Sequence, residues 1–76
     1  MEKLNVGRNI RRLRESAGMS QEGLAEILGI DRSAVAQWET GRTNPRLADL
    51  PAIAAALGCE IDELLRTQTQ EGGASA

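Results

Sequence analysis

Few side chains of this sequence are suited to catalysis. It contains no histidine and a single cysteine, Cys59, which excludes Ser-His and Cys-His nucleophile pairs, histidine metal sites and a disulfide within the chain. Glu22 and Glu26 lie four residues apart, but they have no basic or nucleophilic partner nearby in the sequence, so we interpret them as a solvated helix face. We therefore expect no enzyme, no bound metal, no cofactor and no small-molecule substrate.

The side chains at positions 32 to 37 are suited to a different chemistry, the recognition of nucleic-acid bases. Gln37 can pair with N6 and N7 of adenine, and Arg32 can pair with O6 and N7 of guanine. Ser33 can hydrogen-bond to several bases, and the methyl group of Ala36 fits against that of thymine. For each residue taken singly, a solvated helix surface is the alternative, so the prediction depends on an element that presents them together.

A second group of side chains is suited to binding phosphate. Gln21 lies at the predicted start of a helix, where free backbone N–H groups and the positive end of the helix dipole attract anions. Short polar donors and one cation follow residue 39, and they are Thr40, Arg42, Thr43 and Asn44. An exposed first helical turn and a plain surface loop are the respective alternatives.

The elements that must position these residues are predicted to be helices. Apolar residues recur at helical spacing, and no stretch alternates with the two-residue period of a strand. We predict an all-α domain over residues 1–66, with helices at roughly 6–17, 21–28 and 32–40, a fourth from about residue 49 to Gly58, and a short last helix containing Ile61, Leu64 and Leu65. The predicted N-caps of the first three helices are Asn5, Ser20 and Asp31.

The remaining residues, 67–76, contain no large apolar side chain. Such a segment cannot bury enough apolar surface to offset the entropy lost on ordering it. We expect residues 67–76 to form a disordered tail.

The second and third helices are predicted to cross steeply, because only residues 29–31 separate them. Ala25 is small where the two helices approach each other, and Gly29 permits a positive φ in the turn. We expect the buried face that they share to consist of five apolar residues, Leu24, Leu28, Ile30, Val35 and Trp38. This pattern predicts a helix-turn-helix unit. Its third helix is expected to present Ser33, Ala36, Gln37 and Thr40 outward, with Arg32 projecting from the first turn.

Over about residues 6–66 the sequence resembles the Cro and phage-repressor type of helix-turn-helix regulators, also called the xenobiotic-response-element family. The motifs that support this are VGRNIRRLRESAGMSQEGLAEILGI, DRSAVAQWETGRTNP, LPAIAAALG and IDELL, in the family's order and spacing. The resemblance implies a compact five-helix fold of the lambda-repressor type and sequence-specific binding of double-stranded DNA. It also implies that Gln21 contacts the DNA backbone and that Glu39 forms a structural salt bridge with Arg14.

Two residues depart from the family's usual pattern. Gly23 stands inside the second predicted helix, where a better helix former is usual, at a cost of about 0.5 to 1 kcal/mol. Ala36 replaces a polar side chain that is common on the third helix, which removes one possible DNA contact.

Charge is unevenly distributed along the chain. The formal net charge is −2, which by itself argues against a nucleic-acid partner. Residues 1–46, however, contain eight basic and six acidic side chains, whereas residues 47–76 contain one basic and five acidic side chains. An anion-binding surface is therefore expected in the first two-thirds of the chain.

A single copy offers few base contacts, so useful specificity requires a homodimer on an inverted repeat. The best apolar candidates for its interface are Cys59, Ile61 and Leu65. The alternative hypothesis is a protein-interaction module, such as an antitoxin or anti-repressor, that binds a partner through its acidic C-terminal third. We expect a cytoplasmic protein with no membrane association, because the N-terminal residues lack a long apolar stretch.

Overall fold

The computed structural model describes residues 6–66, and in this part of the chain it contains five α-helices and no strand. The helices are α1 (Val6–Ser16), α2 (Gln21–Leu28), α3 (Arg32–Thr40), α4 (Leu50–Leu57) and α5 (Ile61–Leu65). The predicted five-helix architecture is confirmed, with α1 ending one residue earlier than expected. The predicted N-cap Asn5 and the predicted tail 67–76 lie outside the described residues.

The helices α2 and α3 differ in their N-terminal caps and are alike in their C-terminal caps. The Ser20 hydroxyl accepts a hydrogen bond from the backbone N–H of Gly23 at 2.9 Å, as expected of an N-cap. Asp31 occupies the N-cap position of α3, but its side chain makes no capping hydrogen bond, so only its position was predicted correctly. Gly29 and Gly41 end α2 and α3 with φ values of 71° and 81°, which only glycine adopts without strain.

A short 3-10 helix, Leu47–Asp49, precedes α4 and was not predicted from the sequence. The Asp49 carboxylate accepts a hydrogen bond from the backbone N–H of Arg46 at 3.3 Å, which closes this turn. Pro51 then lies in the first turn of α4, where its missing N–H leaves no helical hydrogen bond unmade.

The apolar core is formed by all five helices. Its buried members are Ile10, Leu24, Ala25, Val35, Trp38, Leu50, Ile53, Ala54, Leu57 and Leu64. Ile30, expected on the buried face that α2 and α3 share, is exposed instead, and Ile27 of α2 is exposed as well. Ile27 is 60% exposed because the inward face of α2 lies between Leu24 and Ala25, and Ile27 is roughly 110° around the helix from the middle of that face.

Two residues of α1 set how this helix packs, and the sequence pattern indicated neither. Gly7 is buried against the C-terminal half of α3, so close that a Cβ atom there would overlap the carbonyl group of Trp38. Asn9 is fully buried, and its Nδ2 donates hydrogen bonds to the carbonyl oxygens of Leu64 at 2.8 Å and Arg66 at 2.7 Å. Asn9 therefore joins α1 to the C-terminal end of α5.

Candidate nucleic-acid interface

The outward side of α3 presents most of the predicted base-contacting residues. Val35 and Trp38 point into the core, and this leaves Arg32, Ser33 and Gln37 exposed on the other side of the helix. Ala36 is partly buried at the edge of this exposed face. A shallow depression runs along the helix to its C-terminal end and is lined by Ala36, Gln37, Thr40, Gly41 and Arg42.

The predicted phosphate-contacting residues after α3 lie together in one exposed turn. The backbone N–H groups of Arg42 and Thr43 donate to the carbonyl oxygen of Gln37, at 3.0 and 3.3 Å. The hydroxyl of Thr40 donates to the same carbonyl oxygen at 3.2 Å. These bonds fold the chain back onto the end of α3. Arg42, Thr43 and Asn44 are exposed, and Arg42 lines the depression together with Gln37 and Thr40.

A buried ion pair fixes α3 against α1. Arg14 donates from Nε to Glu39 Oε2 at 2.7 Å and from Nη2 to Glu39 Oε1 at 2.9 Å, so the salt bridge expected from the resemblance is present and bidentate. The side chains of Arg14 and Glu39 are only 10% and 3% exposed. A third donor of Arg14, Nη1, bonds the carbonyl oxygen of Met19 at 2.8 Å, which also ties the α1–α2 turn to the pair.

The carboxyl group of Glu39 has a pKa below its ordinary value. Burial alone raises the pKa, but hydrogen bonds from Arg14 and Gln21 and the charges of Arg14 and Arg11 lower it by more. The hydrogen bond to Glu39 correspondingly raises the pKa of the Arg14 guanidinium. Both groups are therefore charged at neutral pH.

Gln21 has a connection that sequence reasoning missed. Its Nε2 donates to Glu39 Oε1 at 3.1 Å, and its Oε1 accepts a hydrogen bond from Arg32 Nη1 at 3.4 Å. The sequence predicted a phosphate contact for Gln21, a base contact for Arg32 and a structural role for Glu39, whereas the structure joins the three side chains. The sequence gives one indication that Gln21 and Arg32 could meet, which is that they are the first residues of two helices predicted to cross.

The candidate dimer residues lie C-terminal to α4, immediately before α5 and within it. Ile61 is 38% exposed, whereas Cys59 and Leu65 are partly buried against the core. Burial raises the pKa of the Cys59 thiol, and the charges of Glu63 and Glu60 raise it further. The thiol is therefore uncharged at neutral pH and resembles a small apolar side chain.

The described residues contain neither a metal-binding cluster nor a helix that could span a membrane. Within residues 6–66, no cluster of three or more cysteine or acidic side chains is arranged to hold a metal ion. None of the five helices is both long and apolar enough to span a bilayer.

Comparison with known proteins identifies the family. A family model described as helix-turn-helix matches residues 10–64. The chain is 35% identical over 66 residues to the immunity repressor protein of Bacillus phage phi105, a match that covers 87% of this chain and 46% of the repressor. The chain therefore spans less than half the length of that relative.

Two solved structures resemble the fold closely. One is the restriction-modification controller protein C.AhdI from Aeromonas hydrophila, with 41% identity, a TM-score of 0.74 and coverage of 80% of this chain and 92% of that one. The other is the c2 repressor of Salmonella phage P22 in complex with a synthetic operator, with 34% identity, a TM-score of 0.74 and coverage of 84% and 96%. Together with the family model, these similarities establish that the chain belongs to the helix-turn-helix family of the Cro and phage-repressor type.

Proposed function

We propose that this chain is a transcriptional regulator that binds specific sequences of double-stranded DNA by inserting α3 into the major groove. The observation that supports this most directly is the division of α3 into two sides. Val35 and Trp38 anchor one side in the core, while Arg32, Ser33 and Gln37 are exposed on the other. A helix held in this way can present its outward side chains to base edges without itself moving.

Each residue of the outward side has a matching base. Gln37 would bind N6 and N7 of adenine, and Arg32 would bind O6 and N7 of guanine. Ser33 would hydrogen-bond a neighbouring base edge, and the methyl group of Ala36 would contact that of thymine.

The phosphate contacts would flank α3 on both sides. Gln21 lies at the N-terminus of α2, where backbone N–H groups and the helix dipole favour an anion. Past the C-terminal end of α3, the exposed turn supplies the remaining polar donors, Thr40, Arg42, Thr43 and Asn44. Contacts of this kind fix the orientation of a protein on DNA without recognising its sequence.

The proposed active species is a homodimer on an inverted repeat, with the two copies of α3 about 34 Å apart. Its interface would include Ile61, Leu65 and Cys59, which belong to the end of the chain remote in sequence from α3. Repression is the proposed outcome, since the phi105 and P22 relatives are both named as repressors.

Selection from a random duplex library by the purified protein tests this function. Enrichment of an inverted repeat with half-sites about one helical turn apart would support it. If folded protein enriches no sequence, the proposal is wrong, and the alternative becomes a partner-binding module that acts through its acidic C-terminal third. In that case charge reversal at Asp62 and Glu63 would abolish partner binding.

Two substitutions then separate base recognition from phosphate binding on the selected site. Gln37→Ala should cost about 1 to 3 kcal/mol and relax specificity at one base pair. Arg42→Ala should weaken binding to all sequences alike. It should also lower the slope of log affinity against log salt concentration by about 1, as expected for the loss of one phosphate contact. Equilibrium titrations at several salt concentrations measure both effects, and an unchanged affinity in both variants would contradict the assigned contacts.

A further inference from the structure

We propose that Asn9 is a positioning residue that determines how far apart the two half-sites on the DNA can lie. It holds α5, which carries the proposed dimer interface, in a fixed orientation relative to α3, which carries the proposed base contacts. The inference rests on the proposed function, because it concerns how the same homodimer selects its site.

The helix α5 is too short to keep its orientation by itself. It has five residues, of which Leu64 alone is fully buried in the core. One buried side chain fixes where a short helix lies but resists rotation about that point only weakly. The side chain of Glu60 makes no capping hydrogen bond, and Arg66 ends α5 in an extended conformation, without the left-handed glycine that ends α2, α3 and α4. The direction of α5 therefore depends on contacts from outside the helix.

Asn9 supplies such contacts at the C-terminal end of α5. Its Nδ2 donates to the carbonyl oxygens of Leu64 at 2.8 Å and Arg66 at 2.7 Å. Carbonyl groups at the end of a helix have no partner within the helix, so these bonds are not in competition with others of α5. The amide oxygen of Asn9 accepts a hydrogen bond from Arg12 Nη2 at 3.4 Å, which is consistent with the same amide orientation. A rotation of α5 about Leu64 would break at least one of the two bonds.

The helix α1 lies between α5 and α3 and connects them. On one side of α1, Gly7 packs against the carbonyl group of Trp38. About two turns further along the same side, Arg14 forms the bidentate ion pair with Glu39. Asn9 is about 200° around the helix from Gly7, on the side that meets α5. Because α1 is fixed to α3 at two points, the bonds of Asn9 transmit the orientation of α3 to α5.

A change of one base pair between the half-sites is large for such a connected structure. It moves one half-site by about 3.4 Å along the DNA and rotates it by about 35° around the axis. A homodimer in which α3, α1 and α5 move as one body can meet this change only if the DNA deforms, which costs energy. A protein in which α5 can turn absorbs part of the change itself. We therefore expect the wild type to accept one spacing and a protein without the Asn9 bonds to accept several.

The experiment measures the affinity of the full chain for the selected inverted repeat at several spacings. The central spacer is kept, or lengthened or shortened by one base pair, and a duplex with a single half-site serves as the reference. Asn9→Leu approximately keeps the volume of the side chain and removes both hydrogen bonds to α5. Asn9→Ala removes the same bonds and leaves room for water, so it takes the place of Asn9→Leu if that variant does not fold.

Ile53→Val is the control for a loss of stability alone. Ile53 is buried in α4 and lines a recess together with Leu28 and Trp38, on the side of the core formed by α2 and α3. Its truncation weakens the core and leaves the hydrogen bonds from Asn9 to α5 in place. Thermal unfolding measures the stability of each variant. Base preferences within one half-site show whether α3 still recognises its sequence.

The expected result separates spacing from sequence. The wild type binds at least about tenfold more weakly when the spacer changes by one base pair. Asn9→Leu reduces this difference to less than about threefold, still binds the inverted repeat more tightly than the single half-site, and keeps the wild-type base preferences. Ile53→Val lowers the unfolding temperature and keeps the wild-type preference for one spacing.

Four results would overturn the inference while leaving sequence-specific binding intact. In the first, the wild type shows no preference for one spacing, or Asn9→Leu keeps the wild-type preference. In the second, Asn9→Leu and Ile53→Val lose the preference equally, so the preference follows stability alone. In the third, Asn9→Leu binds the inverted repeat no better than the single half-site, so Asn9 is needed for the dimer itself. In the fourth, neither Asn9 variant folds even at low temperature, so Asn9 is needed for the whole fold.

The failure of the proposed function looks different from all four. The wild-type protein, although folded, would then enrich no sequence from the random library, and no spacing could be compared.

Discussion

The two ion pairs among the described residues differ greatly in burial, and we expect them to differ in energy. Arg14–Glu39 lies between α1 and α3 with side chains no more than 10% exposed, whereas Arg11–Glu15 lies on the surface of α1 with both side chains more than half exposed. An exposed pair is screened by water, and its ordering costs entropy. Removal of one partner of a buried pair leaves the other charge without compensation.

Glu39→Ala should therefore lower the free energy of unfolding by about 3 to 5 kcal/mol at pH 7. The matched control is Glu15→Ala, which removes the exposed partner and should cost less than about 1 kcal/mol. Urea unfolding followed by circular dichroism measures both. Equal losses in the two variants would show that the buried pair contributes no more than the exposed one.

The loss of stability caused by Glu39→Ala should also depend on pH. Because the pKa of Glu39 is lowered in the folded chain, its ionisation stabilises the fold above the unfolded-state pKa of about 4.3. That contribution is lost as the pH falls through the lower, folded-state pKa. The difference between wild type and Glu39→Ala should accordingly narrow below pH 4, and a difference that is constant down to pH 2 would contradict this.

The residue at position 7 is limited to glycine by the lack of space between α1 and α3. An added Cβ would lie 2.7 Å from the carbonyl carbon of Trp38, and backbone cannot move aside as a flexible side chain can. Gly7→Ala should destabilise the fold by about 1 to 3 kcal/mol, since α1 must shift away from α3. The control is Gly23→Ala in α2, where the nearest atom is the Ser20 hydroxyl oxygen at 3.2 Å.

The two glycine variants should change stability in opposite directions. Gly23→Ala should raise it by up to about 1 kcal/mol, because alanine is the better helix former and the Ser20 side chain needs only a small adjustment. Thermal unfolding of both variants measures the contrast. A Gly7→Ala protein as stable as the wild type would show that α1 and α3 can separate without cost.

At the scale of the helices, the N-caps of α2 and α3 show how much a capping hydrogen bond contributes to stability. Ser20→Ala removes the capping hydrogen bond to Gly23 and should cost about 1 kcal/mol. Asp31→Ala removes a side chain that makes no such bond, so its cost should be clearly smaller. Chemical denaturation distinguishes the two, and an equal cost would mean that Asp31 caps α3 in solution.

The helices were predictable because their signals are local. The period of the apolar residues, the Ser20 cap and the glycines that end α2 and α3 all lie within a few residues of the element they define. Contacts between distant parts of the chain have no such signal. Asn9 bonds a carbonyl group 55 residues away, and Gln21 meets Glu39 across 18 residues, so both contacts became visible only in the folded chain.

The candidate site was predictable to the same extent. One helical period was enough to place Ser33 and Gln37 outward and Val35 inward, as the structure has them. The period could not show that Ile30 would remain partly exposed in the turn, or that the side chains of Gln21 and Arg32 would meet. Both depend on the angle at which α2 crosses α3, which no local pattern determines.

At the scale of the whole molecule, the proposed homodimer requires a surface remote from α3. Ile61 and Ile27 are both exposed isoleucines, at 38% and 60%, but only Ile61 belongs to the proposed interface. Ile61→Glu should weaken self-association by at least about tenfold, because burial of a charge without a partner is costly. Ile27→Glu should leave self-association unchanged.

Sedimentation equilibrium of the wild type and both variants measures the dimer dissociation constant. If Ile27→Glu disrupts the dimer and Ile61→Glu does not, the interface lies on α2 instead of α5. A wild-type protein that remains monomeric at high concentration and on its DNA site would remove the basis for an inverted-repeat operator.

Trp38 is the only aromatic residue of the chain, and it lies buried on the side of α3 that faces the core. The intrinsic fluorescence of the protein therefore comes from one indole in one environment. Unfolding should shift its emission to longer wavelength, whereas a ligand bound to the opposite side of α3 should leave the emission maximum in place. The emission of Trp38 therefore distinguishes binding at the surface of α3 from unfolding of the core, without an attached dye.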